Sequence, residues 1–198
     1  MTTVPDVAEP VDDEPEEGGR PGHPARWAAV GVAVVVGLLV VLLATRDPAS
    51  TRLADSPLLG RTAPALAGPS LVGGADFDLA AEAGRYVLVN FFATWCVPCV
   101  REHDDLRQFA DAHAAAGDVR VVSVVFDDKP SDVAAFFERE GGSWPVIAND
   151  GGRATIDFGV TGVPESYLVG PEGAVRAKII GGIDAGRLEE LLRDVKAG

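Results

Sequence analysis

The chain has 198 residues, with 30 acidic side chains against 17 basic ones and a net charge of -13. That length holds one ordinary domain with appendages, and so acidic a chain argues against nucleic-acid binding, which needs cations to neutralise phosphates. Its two cysteines are too few for a disulfide framework or a four-cysteine zinc site, and as one Cys-x-x-Cys they close too short a loop to staple a fold.

Residues 1–26 hold Pro, Gly, Asp and Glu with almost no large apolar side chain, and read as a disordered tail. Seven acidic residues between Asp6 and Glu17 supply more than half of the net charge, so acidity is mostly a property of this tail. Residues 27–45 read as a transmembrane anchor. From Trp27 to Ala44 there is no charged or polar side chain, and helical rise carries such a run about 27 Å, close to the bilayer's hydrocarbon thickness. Trp27 is placed as an interfacial anchor, with Arg26 and Arg46 bracketing the run. A signal-peptide core is usually shorter and is followed by a small-residue cleavage site; a buried core helix is rarely so uniformly apolar. Arginines on the two sides nearly balance (Arg20 and Arg26 against Arg46, Arg52 and Arg61), so orientation rests on the cysteine chemistry below.

Residues 46–57 read as a polar tether, and residues 58–198 as the folded domain. Gly and Pro punctuate residues 58–79, suggesting a small hairpin or edge strands before one turn of helix at 79–83. Residues 86–92 are an apolar strand ending on Thr94-Trp95-Cys96-Val97-Pro98-Cys99. A helix follows to about residue 116, with Cys99, Leu106, Phe109, Ala110 and His113 on one face and Asp104, Asp105, Arg107 and Asp111 on others. Residues 119–126 form a second strand whose continuous apolar run suits a sheet covered on both sides. Ser131 is positioned to cap a helix reaching residue 140. A short strand at 145–148, a helix or turn at 151–158, a hairpin pairing 165–169 with 174–180, and an amphipathic helix at 185–196 complete the chain. The order β-α-β-α-β then β-β-α predicts an α/β fold: a mixed sheet with helices on both faces.

Disulfide exchange needs a reachable thiolate and a second thiol to resolve the mixed disulfide. In Cys96-Val97-Pro98-Cys99, Cys96 falls at a helix N-terminus, where free N–H groups and the helix dipole favour negative charge. Cys99, one turn further in, is the resolving thiol, and Pro98 costs no hydrogen bond in the first turn. A free thiol of pKa about 8.5 is about 3% ionised at neutral pH, and lowering that pKa to about 7 is worth about 2 kcal/mol. The dipole supplies about 0.3–1 kcal/mol, so local donors must add to it. The alternative, half of a metal site, stops at Cys96, Cys99 and His103; no metal and no cofactor beyond the cysteine pair are expected.

Trp95-Cys96-Val97-Pro98-Cys99 together with Gly162-Val163-Pro164 resembles the thioredoxin superfamily, specifically its membrane-anchored cytochrome c maturation branch (CcmG/DsbE) and the related TlpA/ResA proteins. Val89-Asn90-Phe91-Phe92-Ala93-Thr94-Trp95-Cys96, Arg101-Glu102-His103 and the run from Phe158 to Leu168 are similar to that branch's motifs. The resemblance implies a thioredoxin-like fold with an N-terminal hairpin extension, and a cis-proline at Pro164 facing Cys96. Trp95, Val163 and Pro164 would then contact substrate. It also implies that Asn90 stands where cytoplasmic thioredoxins bury an Asp, leaving Glu102 to exchange protons with Cys99. Asn90, Glu165 and His103 are weaker candidates for tuning the site or selecting partners.

The implied activity is reduction of protein disulfides outside the cytoplasmic membrane. The substrate would be apocytochrome c or a carrier upstream of it, with electrons returned by a membrane relay protein. A thiol oxidase for secreted proteins would use the same two sulfurs in the other direction. A copper-binding or copper-delivery module using Cys96, Cys99 and His103 would need a further His or Met.

Overall fold

The computed structural model describes residues 23–44, 52–72, 76–148 and 152–198. Residues 1–22 of the expected tail and 46–51 of the expected tether lie outside the described residues. The chain forms two compact units divided after Asp47.

The first unit contains α1, a single 22-residue helix over His23–Ala44. From Trp27 to Val41 its described side chains are all exposed, so that stretch is apolar on every side without a buried stripe. Among the described residues no helix is long and apolar enough to cross a membrane.

The second unit is built on strands β1 (Arg52–Leu53), β2 (Ala67–Gly68), β3 (Phe77–Asp78), β4 (Tyr86–Phe92), β5 (Val119–Val125), β6 (Val146–Ile147), β7 (Glu165–Val169) and β8 (Val175–Ile180). Helices α2 (Val97–Ala114), α3 (Pro130–Glu140), α4 (Arg153–Phe158) and α5 (Ala185–Ala197) connect and close them. Six strands make one mixed sheet in the order β1-β8-β7-β4-β5-β6, parallel across β4, β5 and β6 and antiparallel elsewhere. Strands β2 and β3 form the expected hairpin extension, followed by a 3-10 turn over Leu79–Glu82 that Asp78 caps.

The sheet is covered on both faces because β4 and β5 are apolar at nearly every position. Leu88, Phe92, Val121, Val125 and Leu168 join α2, α3 and α5 in one core, which includes Cys96 and Cys99. Val87, Val89, Phe91, Val122, Val124 and Tyr167 face the other way, against Phe158 of α4 and Leu66 and Phe77 of the hairpin.

Two expectations change. Residues 52–53 fall within the expected tether, yet pair as edge strand β1 with Ile180 and Ile179 of β8. The sheet's edge thus begins before residue 58. Ser131 does not cap α3: Pro130 opens the helix, Lys129 is its N-cap without a side-chain bond, and the Ser131 hydroxyl turns to Asp132. A proline is pre-organised for the first helical position, which moves the cap and the start two residues earlier. On α2, the Asp105 carboxylate accepts from the backbone N–H of Ala185, the first residue of α5.

Candidate active site

Strand β4 delivers the chain through Ala93 and Thr94 to Cys96, which is the N-cap of α2. Cys96 has extended backbone angles, and its sulfur accepts from the backbone N–H of Cys99 at 3.2 Å. Pro98 sits in the first turn, where no helical partner for its missing N–H is needed. Cys96 and Cys99 are joined as a disulfide, each only 4% exposed. Opening that bond leaves the Cys96 sulfur facing the same N–H and the helix N-terminus, which stabilise a thiolate. Around the buried pair the surface is apolar: Trp95 is 58% exposed, and Val97 and Val100 are also exposed.

The approach to Cys96 is held by a loop that nothing in the sequence singled out. Asp128 Oδ2 accepts from both the backbone N–H and the hydroxyl of Thr94, each at 2.6 Å. Its other oxygen accepts from the N–H of Lys129. The neighbouring Asp127 has a left-handed backbone, φ 43°, and its carbonyl accepts from the Trp95 indole N–H at 3.0 Å. The loop after β5 thereby fixes both residues that precede the reactive sulfur.

Beneath the helix lies Glu102, one turn after Cys99 and buried. Its Oε1 accepts from the Asn90 amide at 3.0 Å, and its Oε2 from the backbone N–H of Ile183 at 3.1 Å. Burial raises its pKa to about 7, against the lowering effect of those two donors and with a further upward push from Asp105. A carboxyl that titrates near neutrality one turn from a thiol is suited to exchange protons with it.

The segment after β8 connects this helix to the proline loop. Gly182 lies against the Pro98 carbonyl and Glu102 Oε2, and the N–H of Gly181 donates to the Pro164 carbonyl. The Val163–Pro164 peptide bond is cis, as the resemblance implies, and Val163 packs on both cores.

Glu165 and His103 are not solvated groups at the rim. Glu165 is buried; its Oε1 accepts from the N–H and hydroxyl of Thr161, and its Oε2 pairs with Lys178 Nζ at 2.9 Å. It braces the loop leading into Pro164 from within. His103 is buried among the rings of Phe136, Phe137 and Trp144. A carbonyl can only accept, so His103 Nε2 carries the proton and donates to the Gly141 oxygen at 2.9 Å. Burial, ahead of the opposing bond to Gly141, lowers its pKa, and the ring is held neutral with that nitrogen committed. Among the described residues no three His, Cys, Asp or Glu side chains gather as a metal site.

A disulfide-bonded cysteine pair at the N-terminus of a helix is built to exchange disulfides, and the mixed sheet that presents it has the thioredoxin fold: the chain is a thiol:disulfide oxidoreductase. The Redoxin family profile matches residues 58–192, and the chain belongs to that family, among its DsbE-type thiol:disulfide interchange proteins. It is 33% identical to the thiol:disulfide interchange protein DsbE of Allochromatium vinosum, over 79% of this chain and 83% of that one. The thiol:disulfide interchange protein CycY of Rhizobium leguminosarum is 39% identical over 52% of this chain, a match spanning 53% of that protein's length. A crystal structure of a thioredoxin-family thiol:disulfide interchange protein from Chlorobium tepidum superposes with a TM-score of 0.61 at 28% identity, covering 72% of this chain and 99% of that one.

Proposed function

We propose that this protein is an extracytoplasmic protein-disulfide reductase of cytochrome c maturation. The observation that carries the reading is the buried Glu102, with a pKa of about 7, one turn beyond the Cys96–Cys99 pair. In the reduced protein the Cys96 thiolate attacks one sulfur of a substrate disulfide, and the other substrate sulfur leaves as a thiolate. Cys99 gives its proton to Glu102 and attacks the Cys96 sulfur, releasing the second substrate thiolate and closing Cys96–Cys99. Two electrons have passed to the substrate, and a membrane relay protein returns two to the cysteine pair.

Trp95, Val163 and Pro164 are the proposed substrate contacts; the exposed Trp95 beside the disulfide supports this. The cytochrome c role, with apocytochrome c or an upstream carrier as substrate, rests on the likeness of the motifs around Asn90, Glu102 and Pro164 to the maturation branch. Anchorage by residues 27–45, with the second unit outside the cytoplasm, is supported by the exposed apolar run from Trp27 to Val41 in α1.

The decisive experiment is a Cys99→Ser trap, which cannot resolve and holds substrate on Cys96 as a mixed disulfide. Capture of apocytochrome c or its carrier is the expected result, and capture of unrelated secreted proteins would overturn the maturation role. Equilibration with glutathione sets the direction: a potential near that of dedicated oxidants, about -120 mV, would make the protein a thiol oxidase instead. A membrane-impermeant thiol reagent on intact cells should label reduced Cys96; full protection would place the domain inside.

A further inference from the structure

Three buried polar residues stand in one line across the centre of the sheet, among apolar neighbours on their own face. Asn90 of β4 is in register with Ser123 of β5 on one side and Ser166 of β7 on the other, and all three are buried. They lie on the face that carries α2. Leu88 and Phe92 flank Asn90 on that face, Val121 and Val125 flank Ser123, and Leu168 follows Ser166.

The hydrogen bonds along this line run one way. The Trp144 indole N–H donates to Ser123 Oγ at 2.8 Å. The Ser123 hydroxyl donates to Asn90 Oδ1 at 3.5 Å, and the Asn90 amide donates to Glu102 Oε1 at 3.0 Å. The same amide reaches Ser166 Oγ at 3.1 Å. Only the NH2 end of Asn90 can donate to a carboxylate, so the amide has one orientation and its oxygen is left for Ser123. Each donor polarises the next, and the end of the series is one oxygen of the catalytic carboxyl.

We propose that Trp144, Ser123 and Asn90 form a directed donor chain through the sheet that sets the proton affinity of Glu102, with Asn90 as its positioning residue. The proposal rests on the reading of Glu102 as the proton-exchanging group only for its consequence in turnover; the chain itself is geometric. A donor to the charged form favours that form, so the chain opposes burial and keeps Glu102 within reach of neutral pH. The groups facing Glu102 are few. Asp105 acts from α2 itself, the turn after β8 presents the Ile183 N–H, and β4 presents Asn90 with Ser123 and Ser166 behind it. The disulfide does not titrate. Among these groups, Asn90 is the side-chain donor.

The test is to titrate the Glu102 side-chain carboxyl by NMR in the oxidised protein, where no thiol interferes. In Asn90→Leu the midpoint should rise by about one pH unit, a tenfold change in proton affinity. Ser123→Ala, which removes only the donor behind Asn90, should move it the same way by a smaller step, and Trp144→Phe by less again. If Asn90→Leu does not fold, the Ser123 variant alone decides. An unmoved midpoint in folded Ser123→Ala, or a downward shift, overturns the chain. Thiol alkylation against pH in reduced Glu102→Gln separately tests the proton role: a profile identical to the unaltered protein would remove Glu102 from turnover while leaving the donor chain standing.

Discussion

Asp128 and Thr94 meet at two hydrogen bonds of 2.6 Å, both on one carboxylate oxygen, two residues ahead of the reactive cysteine. Removing a half-buried charged acceptor orphans the Thr94 N–H as well as its hydroxyl. Asp128→Ala should therefore destabilise the domain by about 2 kcal/mol and slow disulfide exchange through the loosened Trp95–Cys96 segment. Thr94→Val keeps the backbone bond and should lose about half as much. Urea unfolding of the two single variants and the double measures the coupling; additive losses would mean that the pair does not act as a unit.

Glu102 and His103, adjacent on α2, impose opposite pH dependences on stability. The Glu102 carboxyl titrates at 4.5 when unfolded and at about 7 when folded, so the native state binds the extra proton between those values. Its contribution is full below pH 4.5 and is lost as pH rises through 7. His103 is depressed from 6.5, so its contribution is present above pH 6.5 and is lost as pH falls through its folded value. Stability measured from pH 4.5 to 7 should rise more steeply with pH in Glu102→Gln than in the unaltered protein, and less steeply in His103→Phe. Parallel curves for all three would refute both assignments.

The Glu165–Lys178 pair is enclosed, with both side chains almost inaccessible. Breaking such a pair from one side leaves a buried charge, so Lys178→Met should cost about 3–5 kcal/mol. The double variant Glu165→Leu, Lys178→Met should regain much of that, since an apolar pair of similar volume removes both desolvation penalties. It will not regain all of it, because Thr161 loses its acceptor on Glu165. Thermal unfolding decides; a double variant no better than the single one would show that the Thr161 bonds dominate.

Reduced Cys96 should react with a small alkylating reagent far faster than Cys99 at neutral pH. Cys96 caps α2, whereas Cys99 lies inside its first turn. Mass spectrometry after limiting alkylation reads the ratio directly, and equal labelling would contradict the assigned roles of attacking and resolving thiol.

Much of this architecture is readable along the chain. The continuous apolar runs of β4 and β5 and the Gly-Pro-Glu-Gly turn before β8 are local signals, and the strand bounds expected from them match within a residue. Cys96 and Cys99 announce themselves by spacing. Hidden are the features made by distant partners. The edge strand β1 consists of two residues whose only strand signal is their pairing with β8. Asp128 looks like any loop carboxylate until Thr94 is brought to it. The burial of Glu102 depends on an N–H supplied 81 residues later. His103 is polar by composition, but the rings that enclose it come from α3 and from Trp144. The line of Asn90, Ser123 and Ser166 carried a faint signal: taken at every second residue, each is the polar one among apolar neighbours, Leu88-Asn90-Phe92, Val121-Ser123-Val125 and Ser166-Leu168.

That same line has a consequence for how the sheet finds its alignment. Apolar residues fill β4 and β5 so evenly that a slip of two residues between them would keep the apolar side chains on their proper faces. It would also set Asn90 against Val121 or Val125, burying an amide with nothing to bond and costing about 1–3 kcal/mol. The three polar residues therefore act as an index mark: among the near-equivalent ways of laying these strands together, one alignment lets all three be satisfied at once.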